Sequence, residues 1–393
     1  MHIYFVSTTC STKKYSEICA KRTVKTLDSS QLFFNMFLDG LNHRNDVKVD
    51  CISALPITAS NYPSKKIVYE TEKEQNVTFH YIAFRNKLFL KQIDSVRNIK
   101  KVLKNLVEKH HDDDAFLIVD PLFVEGSLAS TSFAKKHHIK LTGFLTDLPR
   151  YAVFFDNKSA VKKMLYFFYE KKSERLLNKY DNFVFLTETM AQFVKNKNYI
   201  VVECFAKDYF DIDDRADKND MSIVYAGKLH KEFGADLLKE MIPFVKHRCT
   251  FDIYGDGNYY KELDDLSKQD KRVVLHGISS LDQVHAAELN SDCLINPRQP
   301  NGEFTKYSFP SKTAEYLLSG NPVLMFRLEG IPEEYDTYLN FFRSSEPAQM
   351  AIDLDSLLDS KSAIIKAKKA REFMLKNKSV DAQTDQIITF IKK

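Results

Sequence analysis

Within residues 307–323, hydroxyls, an ammonium and a carboxylate stand at spacings that the start of a helix would bring together: Tyr307, Ser308, Pro310, Ser311, Lys312 and Glu315. Pro310 blocks helix before Ser311, which makes Ser311 the expected N-cap. Free backbone amides and the positive end of the helix dipole favour an anion there, such as a diphosphate, and Lys312 adds a point charge. Glu315, in the first turn, can accept two hydrogen bonds from hydroxyls of the kind a ribose offers. Leu317 and Leu318 fall on one helical face, Gly320 ends the helix, and residues 323–326 open a strand. The apolar run 293–296 ahead of them reads as a buried parallel strand. Taken together these groups have the chemistry of a nucleotide-sugar site.

Short apolar runs recur between longer amphipathic segments at 3–6, 47–52, 77–82, 116–119, 141–145, 183–186 and 200–202. A second series follows at 223–226, 250–254, 273–275, 293–296, 323–326 and 339–342, separated by helix-like stretches such as 235–241 and 281–288. The alternation implies an α/β chain with two parallel sheets, that is, two Rossmann-like halves. Between them residues 207–220 carry six aspartates and little apolar content, as a linker does, so the boundary is expected near 205. Residues 361–393 show helical periodicity.

A chain of 393 residues exceeds what one core usually organises, and 44% apolar residues suffice for two. With 57 basic against 53 acidic residues, and no arginine-rich stripe, nucleic acid is not an expected partner. The six cysteines are scattered and several lie in strand-like runs, which points to reduced thiols in a cytoplasmic protein. The opening residues read as a first strand and not a signal peptide, and no run approaches the ~18 apolar residues of a spanning helix.

The run Phe-Pro-Ser-Lys-Thr-Ala-Glu-Tyr-Leu-Leu-Ser-Gly-Asn-Pro-Val at 309–323 resembles the donor site of retaining GT-B glycosyltransferases, specifically family 4 of the carbohydrate-enzyme scheme in its bacterial exopolysaccharide and capsule form. The resemblance continues through 180–190, 223–227 and 253–257, in the order such enzymes show, and so covers nearly the whole chain. It implies two Rossmann-like domains facing across a cleft: an acceptor domain at 1–205, a donor domain at 206–370, and a helix at 371–393 crossing back to the first. It implies transfer of a sugar from a nucleoside diphosphate to a polysaccharide or a polyprenyl-diphosphate-linked glycan, with retention of configuration. No metal or other cofactor is expected. The alternative is a transferase-like subunit that supports an active partner.

Carried over residue by residue, the resemblance is incomplete. The family's first glutamate would stand at 307, where this chain has Tyr307; Glu303 is off register, and only Glu315 is kept. The loop 298–307 is still expected to wrap sugar and diphosphate. After Gly227, Lys228 fills the family's arginine slot and Phe233 its lysine slot, leaving Lys228, Lys312 and backbone amides to clamp the diphosphate, with Arg298 or Lys231 as helpers. Gly255, at a strand exit, either cradles the base or turns the chain. His276 is as readily structural as base-reading. Asp147 reads either as a ligand of sugar hydroxyls or acceptor, or as a capping aspartate. Ser7, Thr8 and Thr9 form a hydroxyl-rich loop for donor phosphate or acceptor. Asp112, Asp113 and Asp114 lie at a strand entrance and read as solvated loop rather than as a metal site. Residues 158–179 combine apolar side chains with seven Lys or Arg, which suits a core-covering helix or a basic face for anionic lipid.

Overall fold

The computed structural model describes residues 1–23, 29–110, 114–150, 160–210 and 220–393. Asp112 and Asp113, residues 211–219 of the aspartate-rich stretch, and residues 158–159 lie outside these, as do the side chains of Met164 and Leu165. The chain forms two compact units, Met1–Phe205 with Val380–Lys393, and Ala206–Ser379.

In the first unit the strands are β1 (His2–Ser7), β2 (Lys48–Ser53), β3 (Lys66–Ile67), β4 (Glu70–Glu74), β5 (Val77–Tyr81), β6 (Phe84–Arg85), β7 (Ala115–Val119), β8 (Leu141–Leu145), β9 (Asn182–Phe185) and β10 (Tyr199–Val201). Eight of them make one sheet in the order β10-β9-β8-β7-β1-β2-β5-β4. All its pairings are parallel except β4 with β5. β1 is central and buried at all six positions, as a strand covered on both faces should be. The helices are α1 (Thr12–Lys21), α2 (Ser29–Asn42), α3 (Leu90–His110), α4 (Val124–His137) and α5 (Ala160–Leu177). Periodicity missed β3, β4 and β6. The Glu-Thr-Glu-Lys-Glu of β4 has no apolar alternation because it is a charged edge strand.

The second unit has a six-stranded sheet in the order β13-β12-β11-β14-β15-β16, formed by β11 (Met221–Ala226), β12 (Cys249–Tyr254), β13 (Val273–Gly277), β14 (Cys293–Asn296), β15 (Val323–Met325) and β16 (Asn340–Phe341). Its helices are α6 (Ala235–Met241), α7 (Tyr260–Gln269), α8 (Leu281–Leu289), α9 (Ser311–Ser319), α10 (Pro347–Leu358) and α11 (Lys361–Asn377). Ile223, Tyr225, Phe251, Ile253, Leu263 and Ile295 lie at its core.

The expected tail boundary at 371 shifts to 380. α11 stays with the second unit because Arg371, 8% exposed, donates to the Leu318 carbonyl and to Asp208 Oδ2 at 2.8 Å. Only α12 (Val380–Ile391) joins the first unit, packing on α2. All six cysteines are free thiols, five of them buried. Among the described residues no helix is long and apolar enough to cross a membrane.

Candidate functional site

At the carboxyl ends of β11, β12 and β14 the second unit gathers most of the residues singled out in the sequence. Backbone packing holds two of these loops together: Gly227 N donates to the Tyr254 carbonyl at 3.0 Å, and Gly255 N to the Gly277 carbonyl at 2.8 Å. Gly255 has φ 130°, and a Cβ there would run into the Gly227 carbonyl oxygen. Glycine is therefore required for the loops to approach, so Gly255 sets the position of Lys228.

Lys228 is exposed, and its Nζ lies 5.9 Å from the centroid of the Phe233 ring. Arg298, leaving β14, is 8% exposed and sets its guanidinium 5.4 Å from the same centroid. The slot to which the resemblance assigns a lysine thus holds an aromatic ring with two cations near it, each in cation–π range. Arg298 also donates to Ser308 Oγ at 3.2 Å, and burial pulls its guanidinium down to about 10. Lys231 instead lies over the Tyr259 ring, 5.6 Å from its centroid.

The helix start differs from expectation. Pro310, extended at φ −69° and ψ 111°, is itself the N-cap of α9 and makes no side-chain cap bond. Ser311 is the first helical residue and exposed; a proline at the junction leaves it no room to precede the helix. Glu315 accordingly falls beyond the first turn, which carries no acidic residue. Gly320 closes the helix as expected, at φ 72°.

Lys312 is not a free cation awaiting phosphate. Its ammonium lies 3.1 Å from Glu288 Oε1 and also pairs with Glu315 Oε2. Glu288 is fully buried, and burial pushes its carboxyl up to about 7, with Glu315 adding to and Lys312 opposing the shift. His285 Nε2 stands 3.9 Å from Glu315, its imidazole depressed by burial. His285, Glu288 and Glu315 could together surround a cation, and the Lys312 ammonium already fills that role. Sequence reading missed Glu288, which sits in an ordinary amphipathic helix. It also missed the work of Tyr316, whose buried hydroxyl accepts from Ala226 N at 2.9 Å and so fastens α9 to the exit of β11.

Tyr307 is 7% exposed, a core-facing ring rather than a carboxylate's replacement at the surface. His276 stacks on Tyr254 with centroids 4.2 Å apart and planes 6° apart, and its Nε2 is 2.8 Å from Asp252 Oδ1. Its side chain, exposed on the edge strand, is thereby held against Tyr254 and Asp252.

At the strand exits of the first unit, Ser7 and Thr9 are 0% and 2% exposed, and Ser7 Oγ accepts from Thr9 N at 2.9 Å. The loop turns its hydroxyls inward, so of the three only Thr8 keeps surface. Asp147 accepts from the adjacent Leu148 N at 2.7 Å, while burial raises its carboxyl to about 6. At the neighbouring exit of β7 stands Asp120, unremarked in the sequence. It is 6% exposed, accepts from Leu122 N at 2.9 Å, and burial raises it to about 7. An Asp-Pro pair directly after an apolar strand was the available signal.

Comparison with solved structures defines the class: this is the GT-B fold of glycosyltransferases. The apo form of the lipopolysaccharide outer core galactosyltransferase WaaB is similar at TM-score 0.64 and 13% identity, covering 100% of this chain and 99% of that one. HepE of Anabaena in complex with UDP is similar at TM-score 0.59 and 14% identity, covering 100% of both. Sucrose-phosphate synthase from Thermosynechococcus elongatus gives TM-score 0.64 and 12% identity over 100% of this chain and 98% of that one. Residues 220–360, the segment that holds the site in the second unit, match the family described as Glycosyl transferases group 1. No curated protein matches the chain.

Proposed function

We propose that this chain is a retaining glycosyltransferase that moves a sugar from a nucleoside diphosphate to a polysaccharide or polyprenyl-diphosphate-linked acceptor in cell-surface glycan synthesis. The observation that carries this reading is the gathering of Lys228 and Arg298 near the Phe233 ring centroid, at 5.9 and 5.4 Å, at the strand exits inside the segment that matches a glycosyltransferase family. HepE, similar in fold, was solved with UDP bound.

As the bond from the anomeric carbon to the diphosphate oxygen breaks, negative charge grows on the leaving group, and fixed cations stabilise that charge more than they stabilise the intact donor. The acceptor hydroxyl attacks from the same face, its oxygen bonds to the anomeric carbon, and its proton passes to the departing diphosphate. Glu315 takes the ribose hydroxyls once donor binding turns it from Lys312. The chain's own cations supply the positive charge, so the transfer needs no divalent ion and proceeds with chelator present. Phe167 and Phe168, 52% and 62% exposed on α5 beside Lys171 and Lys172, suit a membrane-borne acceptor at the cytoplasmic face.

A thermal-shift screen of UDP-, GDP-, dTDP- and ADP-sugars, followed by hydrolysis and transfer assays with anomeric analysis of the product, tests the reading. An α-linked product from an α-linked donor is expected. Donor binding without any turnover until a partner protein is added would favour the supporting-subunit reading, and an inverted product would remove the retaining mechanism.

A further inference from the structure

In the first unit, on one face of the sheet, three imidazoles surround one carboxylate. Asp50 on β2 is 6% exposed and His2 on β1 is 2% exposed. His2 Nε2 lies 2.6 Å from Asp50 Oδ2, and His110 Nε2, at the end of α3, lies 3.7 Å from the same oxygen. The rings of His2 and His110 are 4.5 Å apart at 58°. The other carboxylate oxygen, Oδ1, is held by His80 Nε2 at 2.7 Å, and His80 Nδ1 meets the Tyr69 hydroxyl at 2.8 Å.

Burial alone would raise the Asp50 carboxyl, yet the hydrogen bonds from His2 and His80 outweigh it and hold the group well below the usual carboxylate range. One oxygen of this buried carboxylate faces two imidazole nitrogens. The opposite oxygen is anchored by a His80–Tyr69 relay, the outer arrangement that orients metal ligands.

We propose that His2, Asp50 and His110 bind a divalent transition-metal ion of the zinc class, with His80 and Tyr69 orienting the carboxylate. The three donor atoms all lie within 4.8 Å of one another. Two imidazoles and a carboxylate are a ligand set that zinc accepts, with bonds of about 2.0–2.2 Å. Seating the ion requires the His2–Asp50 pair to open by about 0.7 Å, since donors at tetrahedral angles on such bonds stand about 3.3 Å apart, and rotation of the His110 ring to close on it. The ion would tie the end of the crossover helix α3 to β1 and β2. Its role is structural: Lys228, Arg298 and Glu315, on which the proposed transfer rests, belong to the second unit.

The test uses the full chain, tag removed and stripped with chelator, then dialysed against Zn²⁺ or titrated with Co²⁺. Wild type should take up one more Zn²⁺ per chain than His110→Ala, and its Co²⁺ form should show the ligand-field absorption of a low-coordinate site that the variant lacks. Zn²⁺ should raise the melting temperature of wild type and not of His110→Ala. His247→Ala, which removes a surface imidazole paired with Asp355 and Asp359, serves as control and should retain the uptake. Asp50→Asn repeats the comparison should His110→Ala fail to fold. Equal uptake by wild type and by His110→Ala or Asp50→Asn, or none by any, overturns the site and leaves a hydrogen-bonded network.

Discussion

Asp120 shows how a single buried group writes itself into the pH dependence of the fold. Burial raises its carboxyl to about 7, against the one backbone hydrogen bond from Leu122. A folded-state value above the ordinary one means that the native state holds the proton more tightly than the unfolded chain does. The associated stability is fully present below about pH 4 and is lost as pH rises through about 7, a span worth up to about 4 kcal/mol. Denaturant unfolding of Asp120→Asn between pH 4 and 8 should give a flatter curve than wild type; parallel curves would mean that Asp120 is not so displaced. Lys312 calls for a similar revision. Removing it leaves Glu288 buried without its cation, so Lys312→Met should cost about 3 kcal/mol of stability at pH 8 and less at pH 5, where Glu288 is protonated. A variant as stable as wild type at pH 8 would show that the pair is energetically idle. That Glu315 and Lys312 stand close together was legible from the sequence because spacing in one helix fixes it. That they pair with each other and with Glu288 was not, because Glu288 arrives from a separate helix.

At the level of elements, the loop after β12 acts as a spacer for the loop after β11. Gly255→Ala would place a methyl on the Gly227 carbonyl at a φ that L residues rarely adopt. It should cost about 2–4 kcal/mol in stability and displace Lys228, weakening donor affinity by tenfold or more. Calorimetric donor binding to a folded Gly255→Ala with wild-type affinity would dissociate the two loops. The parallel strands around this spacer were plain in the sequence, since continuous apolar runs between helical segments have few other readings. The edge strand β4 that pairs with β5 was not, because a charged edge strand lacks the alternation that marks a half-buried one. Helix α9 was found but misphased: Ser311 looked like the cap, and the proline before it occupies that place. The His2–Asp50–His110 cluster was invisible for a different reason, its members being brought together by strand order and not by any short motif.

For the whole molecule, the tail divides its allegiance, α11 to the second unit and α12 to the first. Ile387, fully buried on α12, should therefore matter to one unit only. Ile387→Ala is expected to lower the stability of the first unit by about 2–4 kcal/mol while leaving donor binding by the second unchanged. Matching losses in both would show that the units unfold as one. The GT-B class was readable from the order of motifs along the chain, and Arg298 was named there as a helper of Lys228, whereas the ring that brings the two cations together needed the fold. Arg298 leaves a different strand from Lys228, and only the fold shows them sharing Phe233. The central claim is that this pair stabilises the departing diphosphate, and it is tested most directly by single-turnover sugar transfer in Arg298→Ala and in Arg298→Ala combined with Phe233→Lys. The single variant should lose roughly 10²-fold in the chemical step with a smaller change in donor dissociation constant, and the added lysine should restore at least tenfold. An unchanged chemical step in a folded Arg298→Ala would contradict the account.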